Sequence, residues 1–473
     1  MADILLAHCN HLFFDRKQAR KMQPYPPLQT LIAAACLRRD GFDVALFDCT
    51  LDYSEDAFRR ALEQHHPRML VLCEDNFNFI TKMCLTRNRE LAFFMCQAAR
   101  EAGVRVVVNS SDATDHIADY IQNGADFVIF GEVEGTLLEV AQHLVRSSPD
   151  EPPNALAGLA YRDPDTQGIR INPPRALMQD LDALPPPAWD LIDVEAYRDA
   201  WMRAHGYFSL NMVSSRGCPY RCNWCSKPIY GNNYHFRSPL QVAEEMRLLK
   251  NSVKPDHIWF ADDIFALSVQ WTLRFADAVE TLDARIPFKM QSRCDLMTRS
   301  TVTALRRAGC AEVWMGAESG SQKVLDAMEK GMSVEQTYRA CENLRANGIR
   351  IGLFLQFGYP GETWQDIQST INMVREAQPD DIGVSVSYPL PGTTFFNLVE
   401  AQFGPKKNWE DSDDLAMMFQ GAYRSEFYRA LRDALHAQVA GAREHELSAL
   451  WRQVEALEKT SATANPTPLW TCC

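Results

Sequence analysis

Three cysteines, Cys218, Cys222 and Cys225, fall close together in the stretch RGCPYRCNWC with the spacing C-x3-C-x2-C. Thiolates so spaced can hold three corners of a cubane iron–sulfur cluster. A purely structural four-iron cluster normally takes four cysteines, so the missing fourth leaves one iron open to a further ligand. Arg216, Arg221 and Lys227 flank the thiols in sequence and are expected to favour the thiolate that metal binding requires. A Cys3His zinc site completed by His235 is the competing arrangement, although no second C-x2-C pair lies within the usual ligand spacing.

Further candidates recur at the ends of apolar runs. Asp262 and Asp263 in WFADDIF could bind an ammonium group or move a proton; a helix cap at Asp263 is the alternative. Arg293 in QSRCD faces the same mouth if the strand register holds, or makes a surface ion pair. Glu318 and Ser319 in GAESGS sit where a carboxylate can grip ribose hydroxyls. Gly358 in FGYPGET would let backbone approach a flat ligand, or simply forms a tight turn.

The elements that must position these residues fall into two β-α series. DILLAHC, DVALFD, RMLVLC, VRVVVN and ADFVIF read as buried parallel strands of an open, doubly wound, Rossmann-like or flavodoxin-like α/β domain over residues 1–146. A proline-rich connector with a small hairpin around GLAYRDPDTQGIRI occupies residues 147–205. Six further strand candidates, from YFSLNMVSS to DIGVSVSYPL, predict a partial (β/α)6 barrel of the TIM type over residues 206–400, with functional groups at the carboxyl ends of its strands. Residues 401–473 read as a helical region and tail ending in PLWTCC.

The formal charge of −13 argues against a nucleic-acid partner. No apolar stretch is long enough to span a bilayer, and MADILLAHCN reads as a strand, so a cytoplasmic protein without membrane insertion is expected. Scattered cysteines such as Cys36, Cys49, Cys73, Cys84 and Cys96 read as buried small hydrophobes. Cys472 and Cys473 read as part of a mobile tail, with electron delivery as the alternative.

The motif RGCPYRCNWC, with the strands that follow it, resembles the radical S-adenosylmethionine signature. The resemblance implies that the three cysteines bind a [4Fe–4S] cluster, that S-adenosylmethionine chelates the open iron, and that its cleavage gives a 5′-deoxyadenosyl radical that abstracts hydrogen from substrate. It puts Trp224 at the aromatic position near the adenine and assigns Tyr220, Glu318, Ser319 and Gly358 to the same cofactor. Asp262, Asp263 and Arg293 become catalytic candidates.

With a doubly wound domain in front, the chain resembles the cobalamin-binding subclass. The strand-end stretches CEDNFNF, NSSDATDH and FGEVEGT then supply Asp75, Asn76, Asn109, Ser110, Ser111, Gly131 and Glu132 as cobalamin contacts. The D-x-H-x-x-G motif is absent, so cobalamin without a histidine axial ligand is expected, and His8 and His11 are read as structural. Long stretches, HIWFADDIFAL among them, are similar to the anaerobic magnesium-protoporphyrin IX monomethyl ester oxidative cyclase group. What this implies is functionalisation of an unactivated carbon of a small-molecule substrate, by methylation or oxidative cyclisation, with an external flavodoxin- or ferredoxin-like electron donor. The other class of reading is a non-catalytic corrinoid- or metal-binding protein.

Overall fold

The computed structural model describes residues 2–78, 81, 83, 85–147 and 155–463; Cys84, Cys472 and Cys473 lie outside them. All five apolar runs of the first series form strands: β1 (Ile4–Ala7), β2 (Val44–Phe47), β3 (Met69–Cys73), β4 (Arg105–Asn109) and β5 (Phe127–Ile129). They pair in parallel in the order β2-β1-β3-β4-β5. The order reverses between β1 and β3, and crevices for ligands open at such switch points, beyond the carboxyl ends of the strands.

The connector hairpin forms as β6 (Leu159–Arg162) and β7 (Ile169–Ile171), but it is not a separate unit. β6 pairs antiparallel with β5 and extends the first sheet. The boundary drawn after residue 146 therefore falls inside that sheet. The reason is local: Tyr161 packs its ring against Phe127, completing an edge that β5 would otherwise expose.

The second series gives β8 (Ser209–Met212), then a short ribbon of β9 (Ser215–Arg216) and β10 (His235–Phe236), then β11 (His257–Phe260), β12 (Phe288–Ser292), β13 (Cys310–Glu318), β14 (Arg350–Phe357) and β15 (Asp381–Val386). The six long strands form one parallel sheet in the order β8-β11-β12-β13-β14-β15. Its helices begin at hydroxyl caps. Ser238, Ser268, Thr298, Ser333 and Thr363 each accept a hydrogen bond from the backbone N–H three residues on, each cap contributing about 1 kcal/mol. Ile258, Phe260, Phe288, Met290, Val313, Met315 and Leu353 face these helices fully buried. Residues of opposite parity, such as Trp259, Gln291, Trp314 and Phe354, turn inward and stay partly accessible.

A partial barrel leaves β8 and β15 as edges. The stretch 15–26 of the first series reaches from one side of that gap to the other. Asn211 of β8 donates to the Pro26 carbonyl at 2.9 Å, and the Tyr25 hydroxyl lies 3.1 Å from that of Ser209. The Tyr25 ring reaches Trp259 at 4.7 Å between centroids. At the other end Arg16 and Arg20 pair with Asp411 and Asp413, and Asp15 accepts from the Ser412 N–H.

Candidate active site

The carboxyl ends of the two sheets face each other. Phe77, beyond β3, stacks on Tyr230 of the cysteine loop at 6.0 Å. Tyr388, beyond β15, donates to the Met83 carbonyl, and the Thr86 N–H donates to that of Trp409. The cysteine loop, residues 217–234, stands in this interface with its base pinched by the β9–β10 ribbon.

Of the eleven described cysteines, eight are buried, as expected for the scattered ones, and only Cys218, Cys222 and Cys225 are partly exposed. Burial pushes the Cys218 thiol up and the Cys225 thiol up to about 12, against the pull of the Lys227 ammonium. Ligation of a metal centre by these two thiols would be coupled to their deprotonation. Lys227 also donates to the carbonyls of Cys218 and Tyr220 and so shapes the loop. Arg221 points to solvent.

Arg216 departs from the expectation that it flanks the thiols. Its guanidinium turns to the first domain, 2.9 Å from Glu132 and 2.6 Å from Glu134. The cation beside a thiol is Arg293. It is buried, lies 3.7 Å over the Tyr220 ring, pairs with Asp295 at 2.9 Å and reaches the Cys222 sulfur at 3.9 Å. Lys330, unmarked by any sequence signal, pairs with Glu318 at 2.7 Å in a buried position and is coupled electrostatically to Cys222. Glu318 sits at a bulge of β13 with φ of 60°.

His235 lies in β10, paired with Arg216. Among the described residues no three His, Cys, Asp or Glu side chains converge as a single metal ion requires.

Several residues expected at the site do other work. Asp262 is fully buried and accepts hydrogen bonds from the Ser214 N–H and from the hydroxyls of Ser214 and Ser215. It anchors the entry to the cysteine loop, and burial raises it to about 6. Its neighbour Asp263 is the acid coupled electrostatically to Cys218 and Cys225. The Ser319 hydroxyl is taken up by Thr370 and the Ser321 N–H, closing a turn. At Gly358, a Cβ would meet Met417 at 3.0 Å and Tyr428 at 3.2 Å. That glycine makes room for protein, and its N–H donates to Glu362 at 2.6 Å.

The first sheet's strand ends are polar, as expected, but largely bonded to one another. Asn76 donates to Asn109 at 3.1 Å and accepts from the Ser111 N–H at 3.0 Å. Asn109 donates to the carbonyls of Ile129 and Gly131. Ser110 caps a short helix by accepting from the Ala113 N–H, and Asp75 accepts from the N–H groups of Gln29 and Phe77. Glu132 accepts from Arg216 and from the Met178 N–H. His8 is buried against Asp48 at 3.0 Å, and the His11 ring contacts the Cys49 carbonyl. Some groups stay unsatisfied: Glu74 Oε2 and Trp224 Nε1 are buried with no partner among the described residues.

Residues 212–374 match the Radical SAM superfamily. The chain is 28% identical over 58% of its length to an uncharacterized methyltransferase of Pyrococcus horikoshii, and 25% identical over 79% of its length to the anaerobic magnesium-protoporphyrin IX monomethyl ester cyclase of Rubrivivax gelatinosus. It spans 58% and 66% of those two relatives. Among solved structures it is similar to the radical S-adenosylmethionine methyltransferase TsrM of Kitasatospora setae, with a TM-score of 0.68 at 18% identity over 85% of this chain and 77% of that one. It is also similar to the cobalamin-dependent radical enzyme OxsB, with a TM-score of 0.73 at 15% identity over 97% of this chain and 71% of that one. Residues 212–374 thus match the Radical SAM superfamily behind a doubly wound domain, and the chain shares its fold with TsrM and OxsB.

Proposed function

We propose that the chain is a radical S-adenosylmethionine enzyme that uses a [4Fe–4S] cluster and cobalamin to functionalise an unactivated carbon of a small biosynthetic molecule, by C-methylation or oxidative cyclisation. The observation that carries this reading is three partly exposed thiols on a pinched loop, at the carboxyl edge of a parallel partial barrel, facing the carboxyl edge of a doubly wound sheet.

The residues present fit both groups. Cys218, Cys222 and Cys225 would hold the cluster, with S-adenosylmethionine beside Trp224, whose buried indole N–H has no partner among the described residues, and Glu318. Cobalamin would sit along the carboxyl edge of the first sheet, where Glu74 Oε2 beyond β3 has no partner among the described residues and Gly131 beyond β5 has open space on its Cβ side. When bound, these groups supply one-electron cleavage strong enough to remove hydrogen from carbon, together with one-carbon or electron transfer. The chain's own contribution is placement. Arg293 holds a positive charge beside Cys222, the Lys330–Glu318 pair keeps a second one near it, and the facing edges shield the reaction from water. A flavodoxin- or ferredoxin-like protein would supply the electron.

Anaerobic reconstitution is the test, with about four irons and four sulfides per chain expected. Methyl-labelled S-adenosylmethionine then separates the two chemistries, since label enters product only on methylation. One zinc and no iron per chain, or neither product methylation nor 5′-deoxyadenosine with any candidate substrate and a competent reductant, would overturn the reading in favour of a metal- or corrinoid-binding protein.

A further inference from the structure

Arg216 carries a buried charge cluster across the interface that the chemistry above does not use. Its side chain is 2% exposed, against 7% for Glu132 and 3% for Glu134. Taking three ions out of water costs several kcal/mol each before their attraction repays it. Packing alone would be served as well by apolar side chains. What ionic pairing adds is a defined geometry, and here both terminal nitrogens of the guanidinium are engaged. Nη1 reaches Glu132 and Glu134, Nη2 reaches Glu134, and the rings of Phe77 and Tyr230 lie 5.7 and 5.6 Å away.

The same cluster grips the cysteine loop a second time. Gln29 donates to Glu134 at 2.8 Å and accepts from the Tyr230 hydroxyl at 3.0 Å. Arg216 is at the start of the loop and Tyr230 in its returning limb, so both limbs are tied to segments beyond β1, β3 and β5 of the first sheet. One residue separates Arg216 from Cys218, and it has no slack. Gly217 holds φ of 76°, and a Cβ there would lie 2.3 Å from the Asn233 carbonyl oxygen.

We infer that Arg216 is a positioning residue, a latch through which the Glu132–Glu134 segment of the first domain fixes where the cysteine loop stands relative to that domain's strand ends. It does not act on the thiols themselves. In the proposed enzyme it sets the separation between the cluster side and the cobalamin side, and to that extent it rests on the reading above.

The test uses the full chain with three substitutions: Arg216→Lys, which keeps the charge but loses the fork; Arg216→Met; and Arg216→Met combined with Glu134→Gln, which limits the uncompensated charge should Arg216→Met fail to fold. Amide hydrogen exchange over residues 217–234, read in the protein before any reconstitution, is expected to quicken about tenfold or more in each folded variant. In reconstituted protein, iron content is expected to match the parent, while product formed per S-adenosylmethionine cleaved falls about fivefold or more and Arg216→Lys recovers part of the loss. Unchanged exchange in Arg216→Lys and in the double variant would overturn the latch, as would an unchanged product ratio at full iron loading. A parent protein that takes up no iron defeats the functional reading, and exchange in the unreconstituted protein still decides the latch.

Discussion

The two facing strand edges are built from similar polar residues and used in opposite ways. At the first sheet, Asn76, Asn109, Ser110 and Ser111 spend their hydrogen bonds on one another and on nearby backbone. At the barrel, the thiols of Cys218, Cys222 and Cys225 stay partly exposed beside Arg293. The bonded part of the first edge is a rigid platform, because each buried polar group left unpaired would cost about 1–3 kcal/mol, whereas Glu74 Oε2 beside it has no partner among the described residues. An edge that keeps donors open is where ligation can occur. Within the barrel edge itself, Asp262, Ser319 and Gly358 follow the saturated pattern and hold turns in place.

The contrast can be broken most directly at the thiols. Cys222→Ala is expected to drop iron in reconstituted protein from about four per chain to below about one, and to remove the visible absorbance, with the urea unfolding midpoint of the metal-free chain unchanged. At the platform the reverse is expected. Asn109→Leu strands the Ile129 and Gly131 carbonyls and the Asn76 amide, so it should cost about 3–5 kcal/mol in urea unfolding while the barrel still takes up its iron.

A pH series sharpens the boundary within the barrel edge. Glu362 is buried, accepts from the Gly358 N–H, and is raised by burial from the ordinary value of 4.5 to about 8. Between those values the folded chain binds the extra proton, so this group's contribution is full below pH 4.5 and is lost as pH rises through about 8. Thermal unfolding midpoints of the parent should therefore fall from pH 5 to pH 9 more than those of Glu362→Gln, a difference of about 2–4 kcal/mol at the alkaline end. An identical slope in the two proteins would show that Glu362 is charged in the folded state. The smallest expected effect is Ser110→Ala, about 1 kcal/mol for a lost cap with iron uptake unaltered.

How much of this was legible in the sequence depends on what kind of information each feature needs. The strands of the first series showed as runs rich in Val, Ile and Leu. The cysteine spacing was equally visible, since local spacing sets which ligands can share a cluster. The direction of Arg216 was not. Nearness in sequence to Cys218 put it beside the thiols, whereas its partners Glu132 and Glu134 lie over eighty residues away. Lys330 was hidden for a related reason, because a lysine in MEKGMS reads as surface until Glu318 is seen to meet it. For Gly358 the motif marked a turn, which the chain makes with φ of 75°, and only packing shows Met417 and Tyr428 on its Cβ side.

The stretch 15–26 that spans from β8 to residues 411–413 has a consequence for how this chain can be divided. A barrel produced from residue 206 onward would keep all six long strands and all three cysteines but lack Tyr25 against Trp259 and the wall over its open side. The two halves are thus separate sheets yet not separable modules: the cysteine-bearing half borrows part of its enclosure from its neighbour, and exchanging the first domain for one from a relative would succeed only if this strap travelled with it.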